Sequence, residues 1–318
     1  MTVYNITNLQ ITCSCVTAIG FMLNCGMIVL LHNFNLSSRL TLTLLRIQSV
    51  ADAASCFFSI LACTTQHGMT GNFVVDWIFC RFWDSQLFYW IPVIVSTSNL
   101  VWMTVDRLWA TVYAVTYKRN LCRYLIFCAV IGFLYIAFLI IPVVTLVDFG
   151  NGTCQPMSIV KTSAAFYSNY VHTYIWMVTY YFLPSILMVC VHVRVLLFMR
   201  RVNRRNGAAD TEEQDRENRL LRPFTTCTVA FAIGLSLAHA YGTYYYVIKI
   251  ENTLFYQPNT PDQLLSVFLT TLNCCVHPII LVSTLPQLRQ EFTALAQQCV
   301  LLCNRNCIGS RYAVNPVT

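Results

Sequence analysis

Apolar residues form seven long runs along this chain, separated by shorter polar stretches. The runs cover residues 9–31, 40–64, 83–109, 122–147, 166–198, 222–248 and 263–285. A helix needs about 20 mostly apolar residues to cross the hydrocarbon core of a bilayer. Each run reaches that length. The pattern therefore predicts an all-α fold, a bundle of seven transmembrane helices embedded in membrane lipid.

Basic residues are distributed unevenly around the runs. Of the 20 Lys and Arg, 17 lie on the side of the connections after the first, third and fifth runs and of the C-terminal tail. The opposite side has only Arg81, Lys161 and Lys249. Retained cations mark the cytoplasmic side of a membrane protein. We therefore expect a multi-pass protein of the plasma membrane, with its N-terminus extracellular and its C-terminus cytoplasmic.

The composition leaves little room for other classes of protein. The chain is 57% hydrophobic and 10% charged, whereas a soluble domain carries far more charge. We expect an extracellular N-terminus over 1–8, a transmembrane domain over 9–285 and a cytoplasmic tail over 286–318. The net charge of +7 fits loops that face anionic headgroups, so we expect no nucleic-acid partner. Zinc-ligand spacings, nucleophile elbows and phosphate-binding loops do not occur, so we expect no enzyme.

Most of the 16 cysteines lie inside the apolar runs, where a thiol behaves as a small hydrophobic group. Cys80 and Cys154 instead fall on the predicted extracellular side, which is oxidising, so we predict a disulfide between them. Two free thiols are the alternative. Asn5 and Asn151 begin glycosylation tripeptides on the same side and are predicted to carry glycans.

Three further cysteines recur every four residues in the tail, so a helix would carry them on one face. They are Cys299, Cys303 and Cys307. Their position just inside the predicted inner leaflet favours palmitoylation. Metal binding is the alternative, which the lack of a nearby His weakens.

Asp52 lies midway along the second run. An Asp at the centre of a spanning helix costs about 2.5–3.5 kcal/mol on insertion scales, so its side chain is expected to face the bundle interior. It must then pair with a cation or take up a proton. An ion or proton site is the functional interpretation, and a polar residue packed between helices is the alternative.

Several motifs in order along the chain resemble one family. The third run ends in Met103-Thr104-Val105-Asp106-Arg107-Leu108, which is similar to the Asp-Arg-Tyr motif of rhodopsin-like (class A) G-protein-coupled receptors. Other matching markers are Asn24 in the first run, Asp52 in the second and Pro184 in the fifth. The seventh run contains Asn273 and, further on, His277-Pro278-Ile279-Ile280-Leu281, which is close to the family's Asn-Pro-x-x-Tyr segment. The segment 288–292 resembles the short amphipathic eighth helix. The resemblance covers nearly the whole chain.

The resemblance implies a receptor that senses an extracellular ligand and activates heterotrimeric G proteins when the fifth and sixth helices move outward. Asp106 would hold Arg107 in the inactive state, and Glu217 would form a second clasp. Replacing Glu217 with Gln should then raise basal signalling. An Arg that only extends from a helix end towards the polar interface is the alternative.

The family gathers a sodium-linked polar cluster around the second-helix Asp. Here the resemblance implies Asp52, Ser96 and Asn273, with Asn24 nearby, as a candidate sodium site and the sole candidate cofactor. His277 replaces the family's Asn, and histidine titrates near neutral pH. We expect sensitivity to protons rather than purely to sodium, with activity that varies between pH 5.5 and 8. A passive core histidine is the alternative.

The resemblance places the ligand pocket in the extracellular halves of the third, fifth, sixth and seventh helices. The candidate lining residues are Tyr89, Trp90, Val93, Tyr174, His239 and Tyr241. Tyr89 stands where amine receptors keep an Asp, so a protonated amine would lack its counter-ion. A small peptide or a small molecule remains. An interfacial aromatic belt is the alternative for the outer tyrosines.

The chain also departs from the family pattern. The sixth run lacks the usual Trp and Pro, while Leu281 and His192 replace tyrosines of the seventh and fifth helices. Cys80 lies two positions further from Arg107 than in the family, and a kink at Pro92 is expected to absorb the surplus. A receptor-like decoy or partner subunit without ligand-driven signalling is therefore an alternative function. A secondary transporter fits less well, because no paired repeat occurs in the chain.

Overall fold

The computed structural model describes residues 3–33, 39–65, 70–144, 147–150, 152–156, 171, 174–206, 261–284, 288–294 and 297. Several predictions fall outside these residues: the sixth run, Glu217, His239, Tyr241, Asn151, Cys299, Cys303 and Cys307.

The described chain is almost entirely helical. Its helices are α1 (Val3–Asn33), α2 (Arg39–Thr64), α3 (Phe73–Phe79), α4 (Leu87–Val112), α5 (Ala114–Val144), α6 (Leu183–Asn206), α7 (Pro261–Thr284) and α8 (Leu288–Ala294). The first five apolar runs correspond to α1, α2, α4, α5 and α6, and the seventh to α7. Two strands, β1 (Val147–Gly150) and β2 (Thr153–Pro156), form an antiparallel hairpin.

Five helical stretches of the described chain are long and apolar enough to cross a membrane. They are Thr7–His32, Arg39–Thr64, Phe73–Val112, Arg119–Ile141 and Tyr174–Phe198. Val267–Ser283 and Leu288–Ala294 add a sixth when they are counted as one span, although they meet at 95°. The predicted helical transmembrane bundle is confirmed, and a short helix follows the last span as expected.

The helices pack around α2 and α4. Between them they bury Leu45, Tyr89 and Ile94 completely or nearly so, and α5 adds Leu139 to the same core. The outer face of α5 is apolar too, with Phe133 71% exposed. An apolar residue left open in this way is stable where the surrounding solvent is lipid, so the exposed face of α5 marks the membrane-facing surface.

The end of α1 is held by a side chain of α2. The last carbonyl groups of a helix lack partners within the helix. Arg46 donates through Nε and Nη2 to the carbonyl of Leu31, at 3.0 and 2.8 Å, and through Nη2 to that of His32 at 3.1 Å. The guanidinium thereby satisfies these carbonyls and fixes α1 against α2.

The irregular backbone before α4 lies elsewhere than the sequence indicated. Cys80–Asp84 forms a π-helical turn after α3, and Gln86 adopts a left-handed conformation with φ 57°. Pro92 lies inside an uninterrupted α4. A π turn accommodates one extra residue in a helix, so part of the two-residue surplus between Cys80 and Arg107 is taken up here.

Helices α1 and α7 approach each other closely at Gly20. A Cβ atom added at Gly20 would lie 3.0 Å from Cys275 Cβ, nearer still to Cys275 Sγ, and 3.1 Å from Cys56 Sγ. A methyl group at Gly20 would therefore require these cysteines or the helices that carry them to shift. Gly26, on the same helix, has no atom within 4 Å of the corresponding position.

We expect Gly20→Ala to lower the melting temperature of the purified protein. The added methyl forces α1 away from α7, and overpacking of this kind costs about 1–3 kcal/mol. Gly26→Ala is the matched control, and should leave the melting temperature unchanged or raise it, because Ala is the better helix former. Equal melting temperatures for the two variants would contradict the close packing at Gly20.

Candidate functional site

A fully buried carboxylate lies at the centre of the bundle. Asp52 of α2 has no exposed surface. Its Oδ1 accepts a hydrogen bond from the hydroxyl of Ser96 in α4 at 2.6 Å, and its Oδ2 lies 2.9 Å from Nδ1 of His277 in α7. One side chain thus joins three helices.

Gln48 completes the surroundings of this carboxylate. It lies one turn before Asp52 on α2, and its Nε2 is 3.1 Å from each carboxylate oxygen. Asn99 of α4 donates to Gln48 Oε1 at 2.9 Å and to the carbonyl of Leu44 at 2.8 Å. Because Asn99 engages the oxygen of the Gln48 amide, the nitrogen is turned towards Asp52.

The orientation of His277 follows from its partner. The contact with Asp52 is made by Nδ1 of His277, and an ionised carboxylate, which only accepts hydrogen bonds, would be met there by Nδ1–H. The side chain of Asp52 is 0% exposed and that of His277 4% exposed. His277 Nε2 is also buried, and it has no hydrogen-bond partner among the described residues.

The residue after His277 shapes the contact between α7 and α1. Pro278 has no N–H, so the carbonyl of Cys274 loses its usual bond within the helix. Asn24 of α1 donates to that carbonyl at 2.9 Å and to the carbonyl of Gly20 at 2.9 Å. Asn24 therefore compensates for the proline rather than facing Asp52.

Two of the three residues predicted for the sodium cluster contact each other in the structure. Asp52 and Ser96 are in contact, but no hydrogen bond between described residues joins Asn273 to Asp52, and Asn273 is only half-buried. A sodium ion, like other hard cations, needs oxygen atoms that direct lone pairs towards it. The oxygens of Asp52 instead face the donors of Ser96, Gln48 and His277. These residues do not fit a sodium ion in this arrangement.

A second buried carboxylate lies near the C-terminal end of α4. Asp106 is 1% exposed. Its Oδ1 accepts from the Tyr117 hydroxyl at 2.6 Å and its Oδ2 from the Thr41 hydroxyl at 2.7 Å. Arg107 donates to Thr41 Oγ1 at 2.8 Å and lies 3.6 Å from Asp106 Oδ2. We call Thr41, Asp106, Arg107 and Tyr117 the latch.

Tyr117 reaches the latch because α5 begins with a bend. Asn120 has non-helical backbone angles, so the first turns of α5 fold against the end of α4. Tyr124 then stacks on Trp109 with ring centroids 4.2 Å apart and on Tyr117 at 6.1 Å. These rings hold the Tyr117 phenol in line with Asp106.

The disulfide end of the bundle lies opposite the latch. Cys80 and Cys154 are joined by an S–S bond of 2.00 Å, as predicted, so the hairpin is tied to the turn before α4. Val147, fully buried, packs against this bond. Asn5 lies in α1, and its predicted glycan stays a prediction.

Comparison with known proteins fits this arrangement of helices. The family model for the 7 transmembrane receptor (rhodopsin family) matches residues 23–281. The chain belongs to the rhodopsin family. No curated protein matches the chain significantly. Members of this family are generally receptors rather than enzymes.

In this rhodopsin-family chain, the predicted pocket residues of α4 are packed. Tyr89 and Val93 are each 2% exposed, and the Tyr89 hydroxyl lies 3.1 Å from both the Val267 carbonyl and Thr271 Oγ1 of α7. Trp90 meets the Trp176 ring edge-on at 5.3 Å. Tyr174, by contrast, is 38% exposed. Tyr89 therefore ties α4 to α7, and a ligand role for these four residues stays a prediction.

The sequence did not predict four residues that surround the carboxylates of Asp52 and Asp106: Thr41, Gln48, Asn99 and Tyr117. Gln48 lies four residues before Asp52 and Asn99 three after Ser96, so the helical spacing of polar residues within apolar runs could have indicated them. Thr41 and Tyr117 carry no such signal. Thr41 approaches Asp106 from α2, and Tyr117 approaches it from the part of α5 before the bend at Asn120.

We expect the melting temperature of the purified receptor to stay the same when sodium chloride replaces choline chloride at equal ionic strength. An ion present at 100 times its Kd would stabilise the fold by about 2.7 kcal/mol. We expect no such stabilisation by sodium, because hydrogen-bond donors already surround Asp52. The His277→Asn variant lacks the imidazole that contacts Asp52, and its melting temperature is expected to rise when sodium is present. A sodium-dependent increase in the unmodified receptor would contradict the donor arrangement.

Proposed function

We propose that this rhodopsin-family receptor transmits the binding of an extracellular ligand to a heterotrimeric G protein at the cytoplasmic face of the plasma membrane. The distribution of Lys and Arg, 17 against 3, supports an extracellular N-terminus and a cytoplasmic tail. With this orientation the disulfide end faces outward and the latch faces the cytosol.

The latch is the observation that carries the proposal. Arg107 presents a planar, permanently charged guanidinium with five donors, which suits it to bind backbone carbonyls or carboxylates of a partner. Here its Nη2 is engaged by Thr41, while its neighbour Asp106 is held by Thr41 and Tyr117. Only 16% of the Arg107 side chain is exposed. This arrangement suits a resting state, from which Arg107 is released when the cytoplasmic ends of the fifth and sixth transmembrane helices move outward.

Asp52 and its partners Gln48, Ser96 and His277 connect the latch to the end of the bundle where we propose that the ligand binds. Asp52 joins α7 to α2 and α4 through His277 and Ser96. A shift of α7 would change the contacts of Asp52, and α4 continues unbroken from Ser96 to Arg107. Movement near the outer end can therefore reach the latch through one rigid helix.

The ligand class rests on Tyr89. Its phenol offers no negative charge in α4, and it already bonds to the Val267 carbonyl. Recognition of a protonated amine at this point would lack a counter-ion, so we favour a small peptide or an uncharged small molecule. Palmitoylation of Cys299, Cys303 and Cys307 would add a lipid anchor for the tail.

A receptor-like decoy or partner subunit is the second candidate. Leu281 is 4% exposed and packs in the apolar core, where the family keeps a tyrosine that can hydrogen-bond. An apolar side chain there cannot join a polar relay between α6 and α7. Ligand binding would then leave the latch closed.

Guanine-nucleotide exchange on a panel of G proteins tests the two candidates. We expect the unmodified receptor to give basal exchange on at least one G protein, and Arg107→Ala to abolish it, because the guanidinium provides the partner contact. Arg46→Ala, which removes the cap of α1, serves as a control for general loss of an Arg at this face. Exchange that is absent with every G protein would support the decoy instead.

Tyr117→Phe is expected to raise basal exchange several-fold. The substitution removes the 2.6 Å bond to Asp106, and a hydrogen bond to a charged group contributes about 1.5–3 kcal/mol. Tyr135→Phe, which removes a hydroxyl from the same helix far from the latch, is the matched control and should leave exchange unchanged. If both variants give the unmodified rate, Tyr117 does not restrain the receptor.

A further inference from the structure

We propose that Cys13 of α1 and Cys63 of α2 are oxidised to a second disulfide, which ties the extracellular ends of these helices together. The inference rests on the proposed orientation, since it requires both thiols to form their bond on the oxidising side of the membrane. It concerns a covalent modification of α1 that is separate from the bond between Cys80 and Cys154.

The two sulfur atoms are already in contact. Cys63 Sγ lies 3.2 Å from Cys13 Sγ, and the side chains are 6% and 0% exposed. Leu264 of α7 packs over the pair. An S–S bond is about 2.04 Å long, so closing the bond needs a movement of little more than 1 Å at the sulfurs, and no separation of the helices.

The position along each helix favours oxidation. Cys63 is the last residue but one of α2, and Thr64 and Thr65 beyond it are exposed. Cys13 lies ten residues from the start of α1, and α1 extends past the end of α2 on this side. Leu264 comes three residues after α7 begins, so the outer ends of three helices meet here.

A second close pair of thiols provides the contrast. Cys56 Sγ and Cys275 Sγ lie 4.0 Å apart, but Cys56 is one turn from the buried Asp52. Enzymes that transfer disulfides work in the aqueous secretory lumen, whereas Cys56 lies seven residues, about 10 Å, deeper along α2 than Cys63 and stays within the membrane before and after the helices pack. We expect Cys56 and Cys275 to remain thiols.

The oxidant is a disulfide of a secretory thiol–disulfide oxidoreductase. One receptor thiolate attacks that disulfide and forms a mixed disulfide, releasing the first enzyme thiol. The second receptor thiolate then displaces the enzyme, so the receptor loses two hydrogens and two electrons and the enzyme gains both. Because Cys13 and Cys63 are buried in the folded bundle, the exchange takes place before α1 and α2 have packed.

The bond would close a loop between residues 50 positions apart, which includes the whole of the first connection. Such a crosslink restricts the unfolded chain and keeps α1 attached at its outer end. At its other end α1 is already held by Arg46. The first helix would then be fastened to α2 at both ends.

Peptide mapping of the full-length receptor tests the proposal. The receptor is extracted in N-ethylmaleimide, unfolded, digested without reductant and analysed by mass spectrometry. We expect a crosslinked peptide that joins Cys13 to Cys63, with Cys80–Cys154 as the positive control and labelled Cys56 and Cys275 as the negative control. Labelling of both Cys13 and Cys63 without prior reduction would overturn the proposal.

Substitutions separate a bond from simple packing. Cys13→Ser should free the Cys63 thiol for labelling after unfolding, and the single and double variants should lose the same amount of thermal stability. Cys15→Ser, two residues away on an exposed part of α1, is the control and should leave the crosslinked peptide in place. Additive losses from the two single variants would indicate separate packing contributions and count against the bond.

Antibody staining of an N-terminal tag on intact cells distinguishes a failure of the disulfide proposal from a failure of the proposed orientation. Staining together with an absent crosslink means that the disulfide proposal alone fails. Staining that requires permeabilised cells means that the proposed orientation fails, and the disulfide proposal with it.

Discussion

The carboxylate of Asp52 lies inside a membrane bundle with no surface open to solvent, and the packing of three helices depends on satisfying it. An unpaired charge in such surroundings costs several kcal/mol, so donors have to reach it from neighbouring elements. Ser96 comes from α4, His277 from α7 and Gln48 from α2 itself. The relative rotation of these helices is thereby fixed, because turning any one of them would withdraw a donor.

The same constraint explains why this cluster differs from a cation site. A carboxylate that already meets a hydroxyl, an amide and an imidazole has its oxygens engaged by protein groups. His277 is decisive, since its ring nitrogen lies at hydrogen-bonding distance from Oδ2. His277 precedes Pro278, and the carbonyl that the proline leaves without its helical partner accepts a hydrogen bond from Asn24.

Hydrophobicity sufficed to predict the helices that the structure describes, because each run is long and its solvent is lipid. The disulfide followed from the side of the membrane on which two cysteines fall, and Asp52, Ser96, Asp106 and Arg107 followed from family motifs. Pairings between helices were less accessible. Tyr117 depends on a bend at Asn120, and Gln48 on the amide of Asn99, and neither is fixed by local sequence. Proline in a helix does not by itself mark where an insertion is absorbed, and Pro92 lies within an uninterrupted α4.

The left-handed residue Gln86 has a mechanical consequence for the outer part of the receptor. It interrupts the regular helix between the disulfide-bound turn and α4, while the Trp83 carbonyl accepts from Gln86 N–H and the Gln86 carbonyl accepts from Tyr89 and Trp90. A torque applied to the hairpin can be absorbed at this joint by rotation about a few backbone bonds. The hairpin and α4 are thus connected through a point that no regular helical turn crosses.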